Sequence, residues 1–162
     1  MKPVLRPVVD RVRRRQGFTL IEIMIVVAII LILSTILIPF ANQMIMLAHE
    51  TAAMRTVTTI HTAQGQYRAQ FGRPATSLQA LGPPASGQEG LAAASLISHD
   101  LALGLKSGYK FTLQGTPNGY RINADPQTHN SSGRRTFYSD QTLVLRENWG
   151  QEPATDQSPE VK

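Results

Sequence analysis

A single carboxylate, Glu22, sits inside an apolar run covering residues 18–40, just after Arg13-Arg14-Arg15-Gln16-Gly17. An ionisable group at the centre of a bilayer costs about 2.5–3.5 kcal/mol on insertion scales, so such a residue marks a function by default. The run is interrupted only by Thr19, Glu22, Ser34, Thr35 and Pro39. As a helix it would extend roughly 34 Å, enough to cross a hydrocarbon core of about 30 Å.

The basic cluster fixes a direction. Six of the 16 Lys and Arg residues, and one of the 11 Asp and Glu residues, lie in residues 1–17, so the rest of the chain holds ten of each sign. All of the formal charge of +5 therefore belongs to a leader. The body carries no basic footprint for nucleic acid, and no nucleic-acid partner is expected. Basic residues before a span stay cytoplasmic, which places the chain after residue 40 on the outer side of the membrane. An ordinary secretory signal has an apolar run of about 7–15 residues and a small-residue cleavage site; Pro39-Phe40-Ala41 is a poor match for one.

Glu22 needs a positive partner. A cut between Gly17 and Phe18 would create an α-amine with a reference pKa of about 7.7–8.0, one turn before Glu22. A carboxylate in the first helical turn also suits the helix dipole. In a bundle of such helices, the amine of one subunit could pair with Glu22 of the next. Removing one partner of a buried charge pair costs about 3–5 kcal/mol, so the pair would select register.

The segment Gly17-Phe18-Thr19-Leu20-Ile21-Glu22 behind a short basic leader resembles the processing signature of type IV prepilins and pilin-like proteins. The resemblance covers residues 13–40. It implies a prepilin peptidase that cuts after Gly17 and methylates Phe18, with Glu22 neutralising the N-terminal amine of a neighbouring subunit in a helical filament. It also implies that Pro39 lies where the long helix bends or partly unwinds. On its own chemistry, Pro39 removes one i→i−4 hydrogen bond and kinks or breaks a helix.

Beyond the apolar run the helical period continues. Ala53, Val57, Ile60, Gln64, Tyr67 and Phe71 form one stripe, broadened by Met46, Ala52, Thr56 and Ala63. Gly72 and Pro74 then end the helix. Residues 18–71 thus form one helix, with a membrane half and an amphipathic half (41–72). Residues 73–108 read as an αβ-loop, with a helical turn capped by Ser77 and a short helix or loop over 91–103. The period becomes two at Tyr109, Phe111 and Leu113, then at Tyr120, Ile122 and Ala124, with a hairpin connection at Thr116-Pro117-Asn118-Gly119. Short strands follow near 135–139 and 142–146, joined by Asp140-Gln141. Residues 150–162 are polar, with Pro153 and Pro159, and read as a flexible tail.

The expected fold class is α+β: a long N-terminal helix packed on an antiparallel sheet of three to four strands, residues 109–149. A sheet this small needs a cover for its apolar face, and the stripe supplies one. This agrees with the pilin-like fold implied by the leader. The chain has no cysteine, so it departs from pilins that close a C-terminal loop with a disulfide.

Little else suggests chemistry. His49 and His61 fall on the solvent side of the stripe, and neither they nor His99 and His129 show metal-ligand spacing. Ser98-His99-Asp100 cannot be a triad, because adjacent helical residues do not face one another. The resemblance to major secretion pseudopilins, which bind calcium in a C-terminal loop, points to Asp125, Asn130 and Asp140 as oxygen donors; turn chemistry accounts for all three without metal. Asn130-Ser131-Ser132 has the form of a glycosylation acceptor. Arg134-Arg135 near Tyr138 reads as a solvated face. Phe18, Phe40, Tyr67 and Phe71 mark the long helix, the last two committed to packing. No cofactor, metal site or catalytic constellation is expected.

The reading is a structural subunit, not an enzyme. Its expected partners are further copies of itself, a prepilin peptidase and the inner-membrane pilus or secretion assembly machinery. It would sit in the inner membrane as a precursor, then in an extracellular pilus or periplasmic pseudopilus. Within that class a type II secretion pseudopilin or a minor or competence pilin is the alternative. From another class, the alternative is an uncleaved single-pass anchor carrying a binding domain.

Overall fold

The computed structural model describes residues 17–84, 87–116 and 119–162. All of the basic leader (1–17) but Gly17, the loop residues 85–86 and the hairpin dipeptide Pro117-Asn118 lie outside the described residues. The chain divides into two compact units, Met1–Pro39 and Phe40–Lys162.

Helix α1 covers Leu20–Phe71. Within the first unit its apolar side chains, from Leu20 to Ile38, are exposed. A helix apolar on every side is adapted to lipid or to other helices rather than to water. This stretch is long and apolar enough to cross a membrane.

In the second unit α1 becomes amphipathic. Ala53, Val57, Ile60, Ala63 and Tyr67 are buried in a core with Tyr109, Phe111, Leu113, Ile122, Ala124 and Phe137. Gln64, also buried, is satisfied by the backbone of Ala75: its Nε2 donates to the carbonyl at 2.9 Å and its Oε1 accepts from the amide at 2.8 Å. Gly72 takes φ +73° and donates to the Arg68 carbonyl at 2.8 Å, ending α1 as its sequence indicates.

A five-stranded antiparallel meander follows in simple order: β1 Leu105–Lys106, β2 Tyr109–Thr116, β3 Gly119–Pro126, β4 Arg135–Asp140 and β5 Arg146–Trp149. The α+β layout agrees with expectation, with more strands than the three to four expected. The extra strand, β1, comes from the segment read as αβ-loop. Ser107 and Gly108, with φ +48° and +75°, make the two-residue turn that folds β1 onto β2.

Two further expectations change. The strand placed at 142–146 begins instead at Arg146, because Asp140 captures the chain first. Its Oδ1 accepts from the Thr142 amide at 2.8 Å and the Thr142 hydroxyl at 2.6 Å, Leu143 adopts φ +66°, and Ser139 Oγ donates to the Val144 carbonyl. Between 91 and 103 only His99–Ala102 is helical (α3), preceded by α2 at Leu78–Leu81. Residues 94–97 instead spend their amides on carbonyls of 80–82.

Residues 150–162, read as a flexible tail, pack against the sheet. Asn123 Nδ2 donates to the Ala154 carbonyl at 3.0 Å and Thr136 Oγ1 to the Glu152 carbonyl at 2.9 Å. The Glu147 amide donates to the Pro159 carbonyl and the Val161 amide to the Leu145 carbonyl, covering part of the β5 edge. Ala154 is buried. Residues 150–162 thus form a hydrogen-bonded strap on the sheet.

Candidate processing and assembly site

Gly17, Phe18 and Thr19 precede the first helical residue, and all three are exposed, as is Glu22. Thr19 and Glu22 form a reciprocal cap. The Glu22 amide donates to Thr19 Oγ1 at 3.2 Å, and the Thr19 amide donates to Glu22 Oε2 at 3.4 Å. This is a capping box, Thr-x-x-Glu, which satisfies two amides that a helix start leaves orphaned. The Thr-x-x-Glu spacing is the sequence signal for this cap, a role of Glu22 separate from its charge. The cap engages one carboxylate oxygen, and Glu22 has no ion-pair partner among the described residues. Pro39 lies inside α1, whose helical assignment continues through it.

In the second unit, polar side chains tie α1 to the sheet. Buried Glu50 accepts from Arg135 Nε at 2.8 Å and from the Arg134 amide at 2.8 Å, and Arg135 also reaches Glu147 at 2.8 Å. Burial works against the charge on Arg135, but the hydrogen bonds to Glu147 and Glu50 prevail and hold its pKa above the usual value. Arg135 is therefore a partly buried, doubly ion-paired cation and not the solvated residue expected. Its guanidinium also lies 5.4 Å from the Phe137 ring centre and 5.1 Å from that of Trp149.

His61 is likewise not solvated. Its Nδ1 lies 2.8 Å from the Tyr120 hydroxyl and its Nε2 2.8 Å from Ser139 Oγ. Because Ser139 donates to the Val144 carbonyl, it accepts from His61 Nε2–H, and Tyr120 donates to Nδ1. Desolvation lowers the His61 pKa, partly opposed by the negative charge of Asp140. His49 Nδ1 contacts the Ser132 carbonyl at 3.2 Å.

The suggested oxygen donors do not converge. Asp140 lies opposite Arg121 in the sheet, whereas Asp125 lies opposite Lys110 at the other end of β3. Among the described residues no group of three His, Asp or Glu could hold a metal ion. Ser98, His99 and Asp100 are all exposed on successive positions. Tyr67 and Phe71 pack with ring centres 4.6 Å apart.

Residues 12–38 match the model of the prokaryotic N-terminal methylation motif. That motif is a type IV pilin signature, and it supports a type IV pilin-like family for the chain. No curated protein and no solved structure matches it.

Within the described residues the motif coincides with the exposed apolar part of α1 and its capped start. The family that the motif marks is structural rather than enzymatic, and the motif together with the apolar helix fits a membrane-anchored precursor. Such motifs in general imply prepilin peptidase processing and filament assembly.

Proposed function

We propose that the chain is a structural subunit of a type IV pilus-like filament, held in the inner membrane as a precursor. Prepilin peptidase cuts between Gly17 and Phe18 and methylates Phe18. The inner-membrane pilus or secretion machinery then assembles mature subunits through residues 18–40, delivering them to an extracellular pilus or a periplasmic pseudopilus. Glu22 pairs with the Phe18 amine of a neighbouring subunit, and Pro39 lets the helix adjust within the filament.

One observation carries the reading: the methylation motif at 12–38 overlies a helix start whose lone carboxylate has no cationic partner among the described residues of its own chain. The same motif serves type II secretion pseudopilins and minor or competence pilins, which remain within this class. The competing class is an uncleaved single-pass anchor displaying residues 40–162 as a binding domain.

The deciding experiment is Glu22→Ala, followed by separate assays of processing and of sheared surface filaments. The filament reading expects a processed chain that assembles poorly. Wild-type assembly by this variant would remove the pairing from the account.

A further inference from the structure

The second unit carries two patches of exposed charge on different faces. Near the end of α1, Arg68 and Arg73 border an open groove of ≈ 810 Å³ that runs past Gly65, Thr116 and Gln141. No carboxylate lines it among the described residues. A Cβ at Gly65 would meet nothing within 4 Å, so packing within the chain does not require glycine there. Glycine inside a helix is destabilising relative to alanine, and its retention leaves the groove floor open to an incoming chain.

The second patch is Glu152 and Asp156 on the strap. Both are exposed, and neither has an ion-pair partner among the described residues. The strap is fixed by Thr136 and Asn123, and Asp156 is near enough to help raise the Tyr138 pKa, whose chief cause is burial. Thr136 and Tyr138 alternate along β4 with Phe137 and Ser139, and Ser139 faces α1 through His61. The acidic patch therefore lies on the sheet face turned away from α1, while the basic groove lies between the end of α1, the β2–β3 hairpin and the turn after β4. No ion pair joins them within one copy among the described residues.

We propose that the acidic strap of one copy seats in the Arg68/Arg73 groove of the next. Two complementary patches on different faces make a heterologous contact, the kind that propagates into an open helical assembly rather than closing a dimer. Exposed ion pairs add little affinity singly, so this contact serves mainly to choose register and partner. The inference rests on the filament reading above and names the contact between its globular units.

The chain's lack of cysteine allows a direct test. Arg73→Cys and Asp156→Cys variants, co-expressed in one cell, should give covalent dimers in sheared filaments after treatment with a short bis-maleimide, and neither variant alone should. Arg68→Glu with Arg73→Glu should lower filament yield about fivefold, and adding Glu152→Arg with Asp156→Arg should restore it. Filaments with unchanged yield and no mixed dimers would overturn this contact while leaving the filament reading intact. Absence of wild-type filaments would overturn both.

Discussion

Glu50 on α1 and Arg135 on β4, 85 residues apart in sequence, form a buried ion pair with Nε and Oε2 2.8 Å apart. The pair, extended to Glu147, fastens the amphipathic half of the helix to two strands at once. Removing one partner of such a pair strands the other charge, at a cost of about 3–5 kcal/mol. Glu50→Ala leaves Arg135 paired with Glu147 but deprives the Arg134 amide of its acceptor, so it should destabilise the second unit by about 1–3 kcal/mol. Arg135→Met strands both carboxylates and should cost about 3–5 kcal/mol. Trp149, the sole tryptophan, lies under the Arg135 guanidinium and offers a fluorescence probe for urea unfolding of the detergent-solubilised chain.

Gly133 tests the packing beside that pair. A Cβ there would collide with the hydroxyl and ring of Tyr109, which is fully buried and donates to the Arg135 carbonyl at 2.8 Å. Gly133→Ala should cost about 1–3 kcal/mol in the same unfolding assay, as overpacking does. Tyr109→Phe in the Gly133→Ala background removes the nearest clashing atom and should recover part of the loss.

The His61 cluster predicts a pH dependence. Its pKa in the fold lies below the ordinary 6.5, chiefly through desolvation, so the unfolded chain takes up a proton first as pH falls. Stability from this residue is present above about pH 6.5 and is lost on acidification toward the lower folded value. Thermal unfolding at a series of pH values should show a downward slope in the wild type that His61→Gln flattens. An equal slope in both proteins would place the titration elsewhere.

Thr19 and Glu22 allow the local cap to be separated from the charge. Thr19→Val removes the side-chain acceptor and should weaken the helix start by about 1 kcal/mol with filaments still formed. Glu22→Gln keeps a capping-box side chain but not the charge, so it should be processed and fail to assemble. Circular dichroism of residues 18–40 in micelles reads the first effect, and recovery of sheared filaments reads the second.

The two ends of the account differed in how legible they were. The apolar run, the Gly17 to Glu22 spacing and the stripe from Ala53 to Phe71 are local patterns, and each is read directly from periodicity or charge. The β2 and β3 strands were equally plain, because Tyr109, Phe111 and Leu113 alternate with polar residues. The partners of His61, Glu50 and Arg135 were not legible. They depend on the register that sets β4 beside β3, and a polar residue at the edge of a helical stripe looks solvated until its sheet partner is known. Strand β5 was misplaced for a local reason: the Asp140 side chain competes for the backbone of Thr142. The strap at 150–162 has no hydrophobic period because it is held mainly by hydrogen bonds, from Asn123, Thr136 and the Glu147 amide to its carbonyls and from the Val161 amide to Leu145. The Thr19/Glu22 cap is legible from its three-residue spacing alone.

The central claim is that Gly17 is a cleavage site and Phe18 a mature N-terminus. Mass spectrometry of the N-terminal peptide, from chain purified out of its native membrane or filament, tests it most directly. The account predicts a peptide beginning at Phe18 and heavier by one methyl group. A working form that retains residues 1–17 would contradict it and favour the uncleaved anchor.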